Sequence, residues 1–202
     1  MKLAKSIVAL CVLSLSALLP ASAFGQAGSG DHTYSSRYDS LGRVVGTIAP
    51  DPDGAGSLER PATRTTYNNR NLPVRVETGV LAQWKDESIA PSSWGSDFDV
   101  HTRLDAEYDD DRRKVSDIAR GSNNQIVAYT QYSYDNRGRL ECTAVRMNPS
   151  VYLTSSMPSS ACVLGPQGTG ASDFGPDRIS QNIYDNAGQV IQIRRAVGTN
   201  IE

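Results

Sequence analysis

At 202 residues the chain has the length of one domain, or of one domain with an appendage. A net charge of −2 excludes the basic footprint that nucleic-acid binding needs, because neutralising phosphates takes a surplus of Lys and Arg on one face. The counts of 17 Gly, 10 Pro and 9 Tyr against 3 Phe and 3 Met suit a turn-rich β protein better than a helical bundle.

Lys2 and Lys5 precede an apolar run from Ile7 to Leu19, which Pro20 ends just ahead of Ala21-Ser22-Ala23. A positive start, a short apolar stretch and a small-x-small site are the three parts of a secretory signal peptide. The run is shorter than the ~20 apolar residues that a spanning helix requires. Residues 1–23 are therefore expected to be a removable leader, cut before Phe24 or, nearly as well, before Gln26. Residues 24–33 form a flexible lead-in and residues 34–202 the folded region. Cleavage removes Lys2 and Lys5, so 20 basic residues become 18 against 22 acidic ones, a charge of −4. No later stretch is long and apolar enough for a membrane span. The expected location is the periplasm, the cell surface or the medium.

The first element behind the lead-in is a turn signature, Tyr38-Asp39-Ser40-Leu41-Gly42-Arg43-Val44. An Asp can accept backbone N–H bonds in an Asx-type turn, and the Gly three residues later supplies a left-handed conformation. Together they close a type I turn with a G1 bulge between two strands. Ala49 to Gly56 is a Pro/Gly/Asp cluster read as a solvated turn, since its acids lack the EF-hand register. A second copy runs from Tyr67 through Asn68 to Leu72, with Asn71 in the place of Gly. The alternation of Val74, Val76, Thr78 and Val80 with Arg75, Glu77 and Gly79 marks a strand with one apolar and one wet face.

Gln83 to Ser96 holds both tryptophans, Trp84 and Trp94. A loop folding its indoles onto the sheet is one reading, and an aromatic platform for stacking a sugar is the other. Val100, Thr102, Leu104, Ala106 and Tyr108 then alternate with His101, Arg103, Asp105 and Glu107. The third turn follows at Tyr108-Asp109-Asp110-Asp111-Arg112-Arg113, where Arg112 is a poor left-handed residue. Ile126 runs as a strand into the fourth turn, Tyr134-Asp135-Asn136-Arg137-Gly138-Arg139-Leu140. Leu140, Cys142 and Ala144 are expected on one face beyond it. Cys11 leaves with the leader, so Cys142 and Cys162 remain as an even pair in an export compartment and are expected to form a disulfide. That bridge would pin the first half of Met147 to Asp177, a Ser/Gly/Pro-rich stretch without periodicity. The fifth turn is Tyr184-Asp185-Asn186-Ala187-Gly188-Gln189-Val190. The charged residues Arg75, Glu77, Arg103, Asp105, Glu107 and Arg194 are assigned to wet faces that limit aggregation at the open sheet edges.

Tyr-Asp-x-x-Gly-Arg-Val/Leu, repeated between strands at intervals of 20 to 50 residues, resembles the YD repeats of Rhs-type (rearrangement hotspot) proteins. The resemblance covers roughly Tyr34 to Arg195, with three of five copies close. It implies an all-β fold: repeated antiparallel hairpins in an open, twisted sheet, a segment of a shell that in that family commonly encloses a C-terminal toxin. Some relatives lie on cell surfaces and bind carbohydrate or partner cells. Five hairpins are too few to close such a shell, which leaves an N-terminal piece of a longer polypeptide or a short relative without cargo. The family's self-cleaving aspartate site has no counterpart, since Asp51-Pro52-Asp53-Gly54 precedes most of the repeats.

Little in the sequence points to chemistry. His32 and His101 stand far apart, and no zinc spacing, nucleophile elbow or phosphate loop is present. Asp109-Asp110-Asp111 could supply carboxylates for a hydrolase beside the 147–177 loop, but adjacent residues of a turn point apart. The reading is an exported, non-catalytic scaffold that uses no cofactor or metal. Its expected partners are further repeats or another copy through open sheet edges, with toxin cargo or a surface glycan beyond them. The alternative is a secreted carbohydrate-binding or adhesion module built on Trp84, Trp94 and exposed tyrosines.

Overall fold

The computed structural model describes residues 32–54 and 56–199. The expected leader, residues 1–23, and most of the 24–33 lead-in lie outside them. Ten strands are ordered in space as in sequence: β1 (Ser35–Tyr38), β2 (Val44–Ile48), β3 (Arg60–Tyr67), β4 (Pro73–Leu81), β5 (Phe98–Tyr108), β6 (Lys114–Arg120), β7 (Ile126–Tyr134), β8 (Leu140–Arg146), β9 (Arg178–Tyr184) and β10 (Val190–Arg195). Every neighbouring pair is antiparallel and β1 does not meet β10, so the chain is an open all-β sheet.

All five signature turns close in the same way. In the first, the Asp39 N–H donates to the Arg43 carbonyl and the Gly42 N–H to the Asp39 carbonyl, each at 3.0 Å. The left-handed position is filled by Gly42, Asn71, Arg112, Gly138 and Gly188, all at positive φ. Arg112 thus adopts the conformation its side chain disfavours, at φ 65°. A sixth turn of the same kind, on the opposite end of the sheet, joins β6 to β7: the Gly121 N–H donates to the Gln125 carbonyl and the Asn124 N–H to the Gly121 carbonyl. Its Gly-Ser-Asn-Asn sequence lacks the leading Tyr-Asp and escaped the motif.

Each signature hairpin carries a bulge that the alternation of residues did not reveal. Tyr38 faces Val44 while Arg37 faces Gly46, so Val45 has no partner across that pair. The same slip leaves out Val74, Val115, Glu141 and Ile191. A bulge adds one residue to one strand and so exchanges the faces on either side of it. Leu140 therefore shares a face with Tyr134 and Cys142 shares the other with Ser133. The expected common face holds for Cys142 and Ala144 but not for Leu140. In β5 a further bulge at His101 breaks the expected apolar face: Phe98 and Val100 point with Arg103 and Asp105, whereas Thr102 and Leu104 point the other way.

These register shifts decide which side is covered. One side, the outer face, carries the five motif tyrosines. The other, the inner face, carries Gly46, Ile48, Ala62, Arg64, Glu77, Leu81, Phe98, Asp105, Ile118, Tyr129, Cys142, Ala144, Arg146 and Ile179, and both long loops lie over it. Residues 82–97 contribute Trp94, which packs with Ile48, Ala62, Leu81 and Phe98. The Trp94 and Phe98 rings meet edge to face at 5.4 Å, a geometry worth about 0.5–1.5 kcal/mol beyond area burial. A side chain at position 46 would meet Pro91 at 2.6 Å, so Gly46 is what lets this loop sit down on β2. Residues 147–177 contribute Ala161, which packs with Cys142, Ala144 and Ile179. Between the loops the inner face is charged. Glu77 is only 7% exposed and Arg75, Arg103 and Asp105 are partly covered, so their assignment to a wet face is overturned; Glu107 and Arg194 are exposed as expected. The polar side of these strands is not the solvent side but the side the loops pack against.

Candidate functional site

The motif residues assemble into a ladder that ties each hairpin to the next. Within a turn the Asp does two jobs. Asp135 Oδ1 accepts from the backbone N–H groups of Arg137 and Arg139, both at 2.9 Å, and Oδ2 accepts from Arg139 Nε at 2.7 Å. Asp39 treats Leu41 and Arg43 in the same way, and Asp109 does so for Arg113. Asn68 keeps the backbone half of the arrangement toward Arg70 and Leu72, and Asp185 toward Gln189. The Arg43 hydrogen bonds hold the Asp39 carboxyl below its ordinary pKa, and the Arg139 backbone and side-chain donors do the same for Asp135.

The arginine fixed in this way reaches the following repeat. The Arg43 guanidinium carbon lies 4.4 Å from the Tyr67 ring centroid, Arg113 lies 4.9 Å from Tyr134, and Arg139 lies 4.2 Å from Tyr184. Those are cation–π distances. Leu72 stands at the corresponding place in the second repeat, and there Arg70 donates instead to the Asp109 and Asp110 carbonyls while Arg112 donates to the Arg70 carbonyl.

The tyrosine completes the link. The Tyr67 hydroxyl donates to the Val44 carbonyl at 3.1 Å, Tyr108 to Pro73 at 3.1 Å, Tyr134 to Lys114 at 2.8 Å and Tyr184 to Leu140 at 2.7 Å. In every case the acceptor is the residue six beyond the tyrosine of the preceding hairpin. The inter-hairpin register is shared as well: Gly46 faces Arg64, Arg75 faces Asp105, Ser116 faces Gln131 and Cys142 faces Gln181. In each pair the residue eight beyond one tyrosine meets the residue three before the next. The strand ladder stops at that pair, where the bulge pushes the chain aside, and the tyrosine hydroxyl binds the carbonyl beyond it. Read from the sequence, the turn rests on the Asp and the left-handed residue, and neither the tyrosine nor the motif arginine has a part in it. The signal was the Arg recurring four residues after the Asp in three copies.

The inner face concentrates charge on Asp105, which accepts from Arg75 at 2.7 Å, Arg103 at 2.8 Å and Arg120 at 3.1 Å. Burial alone would raise its pKa, but the three guanidinium donors outweigh it and hold the carboxyl at about 2. Arg64 pairs with Glu77 at 2.7 Å and donates to the Pro91 carbonyl, which joins the 82–97 loop to the sheet. An open cleft of about 1030 Å³ lies between this loop and the first two hairpins, lined among others by Arg37, Tyr38, Arg64, Tyr67, Arg75 and Glu77.

The other candidates are separated. Trp94 is 2% exposed and belongs to the core, and Trp84 is half-buried with the Arg37 guanidinium 5.8 Å from its ring. They form no exposed aromatic platform, because the apolar pocket over Gly46 takes Trp94. Asp109 and Asp111 both pair with Arg113, whereas Asp110 turns away to Arg70. Cys142 and Cys162 are joined, with Cα atoms 5.3 Å apart. Beside them Arg146, 1% exposed at its side chain, clasps the 147–177 loop: it pairs with Asp177 at 2.6 Å and donates to the Val163 and Ser160 carbonyls at 2.7 and 2.8 Å. Asp177 in turn accepts from the Met147 and Gly165 backbones, both at 2.8 Å.

No family model matches the sequence, and no curated protein matches it. Similar solved structures include that of TcdB2-TccC3-Cdc42, at 14% identity and a TM-score of 0.23, covering 82% of this chain and 10% of that one. That of TcdB2-TccC3 stands at 13% identity and a TM-score of 0.22, covering 82% and 11%. The chain spans about a tenth of the length of those chains, and the similarity is weak.

Proposed function

We propose that this chain is an exported, non-catalytic YD-repeat scaffold, a wall or surface segment of an Rhs-like system. The observation that carries the reading is the repeated junction: four inter-hairpin contacts share one register and one tyrosine-to-carbonyl hydrogen bond. The Asp and Arg side chains of the motif are engaged in building the wall. In the Asp39, Asp109 and Asp135 turns the carboxylate holds turn N–H groups and the arginine, and that arginine stacks on the next tyrosine, which supports a structural use of the motif.

The test is expression of the full chain with its leader, followed by fractionation, N-terminal sequencing and assay on glycan, ester, phosphoester and peptide substrates. The expected result is an exported protein beginning at Phe24 or Gln26, with turnover at background. Retention in the cytosol with Met1 intact, or turnover that disappears when Asp109, Asp110 and Asp111 are changed to Asn, would overturn the proposal.

A further inference from the structure

We propose that the two outer strands are complementary halves of the same junction, so that copies of this chain join head to tail, β1 of one against β10 of the next. The inference deepens the scaffold reading and rests on it. Among the described residues β1 and β10 each have one strand neighbour. At the β1 edge Tyr34 and Tyr38 are both 63% exposed, and Tyr38 is the one motif tyrosine without a preceding hairpin among the described residues. At the β10 edge Val190, Ile191 and Ile193 are exposed, an apolar edge of the kind that pairs with another chain. The Val190 carbonyl occupies the place that accepts a tyrosine hydroxyl at the other four motifs.

Direction and register fit together. Strands alternate in direction, so β1 runs opposite to β10 and a second copy's β1 continues the antiparallel order. Applying the shared register places Gln192 opposite Ser35 of the second copy and Ile193 opposite its Tyr34, with both apolar side chains on the outer face. The second copy's Tyr38 then reaches the Val190 carbonyl. Gln189 stands where three inner junctions have arginine, so this contact lacks the cation–π stack and is weaker and reversible. A symmetric pairing of β10 with β10 offers no tyrosine to either Val190 carbonyl. The head-to-tail contact is heterologous and leaves a free edge at each end, so it builds open chains or rings.

The experiment uses the exported full chain. Sedimentation velocity over a concentration series reads self-association, and two variants that each add one cysteine to the native Cys142–Cys162 pair, Ile193→Cys and Tyr34→Cys, are mixed under oxidising conditions. Facing residues of an antiparallel pair lie about 4.5–5.5 Å apart at Cα, within the span of a disulfide. The expected results are growth beyond a dimer, a mixed 193–34 crosslink, and association about fivefold weaker in Tyr38→Phe. Because Tyr38 is an exposed edge residue, that variant should keep the circular dichroism of the parent. A monomer at every concentration, or 193–193 crosslinks in place of the mixed product, would overturn the head-to-tail contact. Either result leaves the scaffold reading standing, since that reading fails only by cytosolic retention or turnover.

Discussion

The Arg139 guanidinium sits 4.2 Å from the centre of the Tyr184 ring, in the next hairpin, while its Nε is held at 2.7 Å by Asp135 in its own turn. One side chain thus couples the closing of a turn to the docking of the next repeat. Arg139→Ala is expected to cost about 1–2 kcal/mol, the sum of a partly exposed charge-assisted hydrogen bond and a cation–π contact. Arg139→Lys should recover less than half of it, because an ammonium cannot stack and fork together. Urea denaturation of the two variants checks both numbers.

The tyrosine hydroxyls are not equivalent. Lys114 O receives the Tyr134 hydroxyl at 2.8 Å, whereas Leu140 O receives both Tyr184 at 2.7 Å and Asn182 Nδ2 at 3.0 Å. Tyr134→Phe is therefore expected to lose about 1 kcal/mol and Tyr184→Phe about half of that, since Asn182 still serves the carbonyl. The two melting temperatures, compared in the same buffer, decide it.

The second and third repeats depart from the motif, and the departures can be repaired. Arg112 holds φ 65° against its side chain, in a position that Gly fills in three sister turns. Arg112→Gly should stabilise by about 0.5–1 kcal/mol through relief of the left-handed strain, less what is lost with its 2.5 Å hydrogen bond to the Arg70 carbonyl. Asn68→Asp with Leu72→Arg restores the Asp–Arg pair and brings a guanidinium toward Tyr108, for a further gain of up to about 1 kcal/mol. Thermal denaturation of the single, double and triple variants measures both effects, and a loss in each would refute the ladder as the unit of stability.

Turns were legible in the sequence because their chemistry is local. An Asx residue, two turn residues and a left-handed residue specify the reversal wherever they fall, and even Arg112 follows the rule. Faces were not legible, because bulges at Val45, Val74, His101, Val115, Glu141 and Ile191 each shift the two-residue period by one. The charged side was not legible either. Arg64 with Glu77, and Arg103 with Asp105, neutralise each other on the inner face, so their polarity alone does not report solvent. The Tyr–Arg contact joins residues of successive hairpins, and the spacing between hairpins varies too widely for any fixed separation to reveal it.

Acid should weaken the inner face. Asp105 is held at about 2 by three arginines, below the ordinary 3.8. Its folded pKa is depressed, so its contribution is complete above the unfolded value. It fades as pH falls from about 4 to about 2 and is absent below. With the side chain 14% exposed, that contribution is about 2 kcal/mol. Asp105→Asn leaves three guanidinium groups facing one another. It should be less stable than the parent at neutral pH, with a stability profile between pH 4 and 2 flatter than the parent's by that amount. Urea midpoints at pH 2, 3, 4 and 7 give the comparison, and parallel profiles would show that Asp105 is not the hub.

The two indoles separate the structural account from the platform account. Trp94 is 2% exposed against Phe98 and Gly46, while Trp84 is half-buried near Arg37. Trp94→Ala should cost about 3–5 kcal/mol, the usual loss for removing a large aromatic from a core, and should release the 82–97 loop from the sheet. Trp84→Ala should cost less, about 1–2 kcal/mol, through its packing at the edge of that core and its contact with Arg37. Acrylamide quenching of the parent should show one protected and one partly accessible fluorophore, and Trp84→Ala should leave only the protected one. A Trp94→Ala protein that melts at the parental temperature would mean that Trp94 faces solvent, and the sugar-stacking reading would then regain its second aromatic.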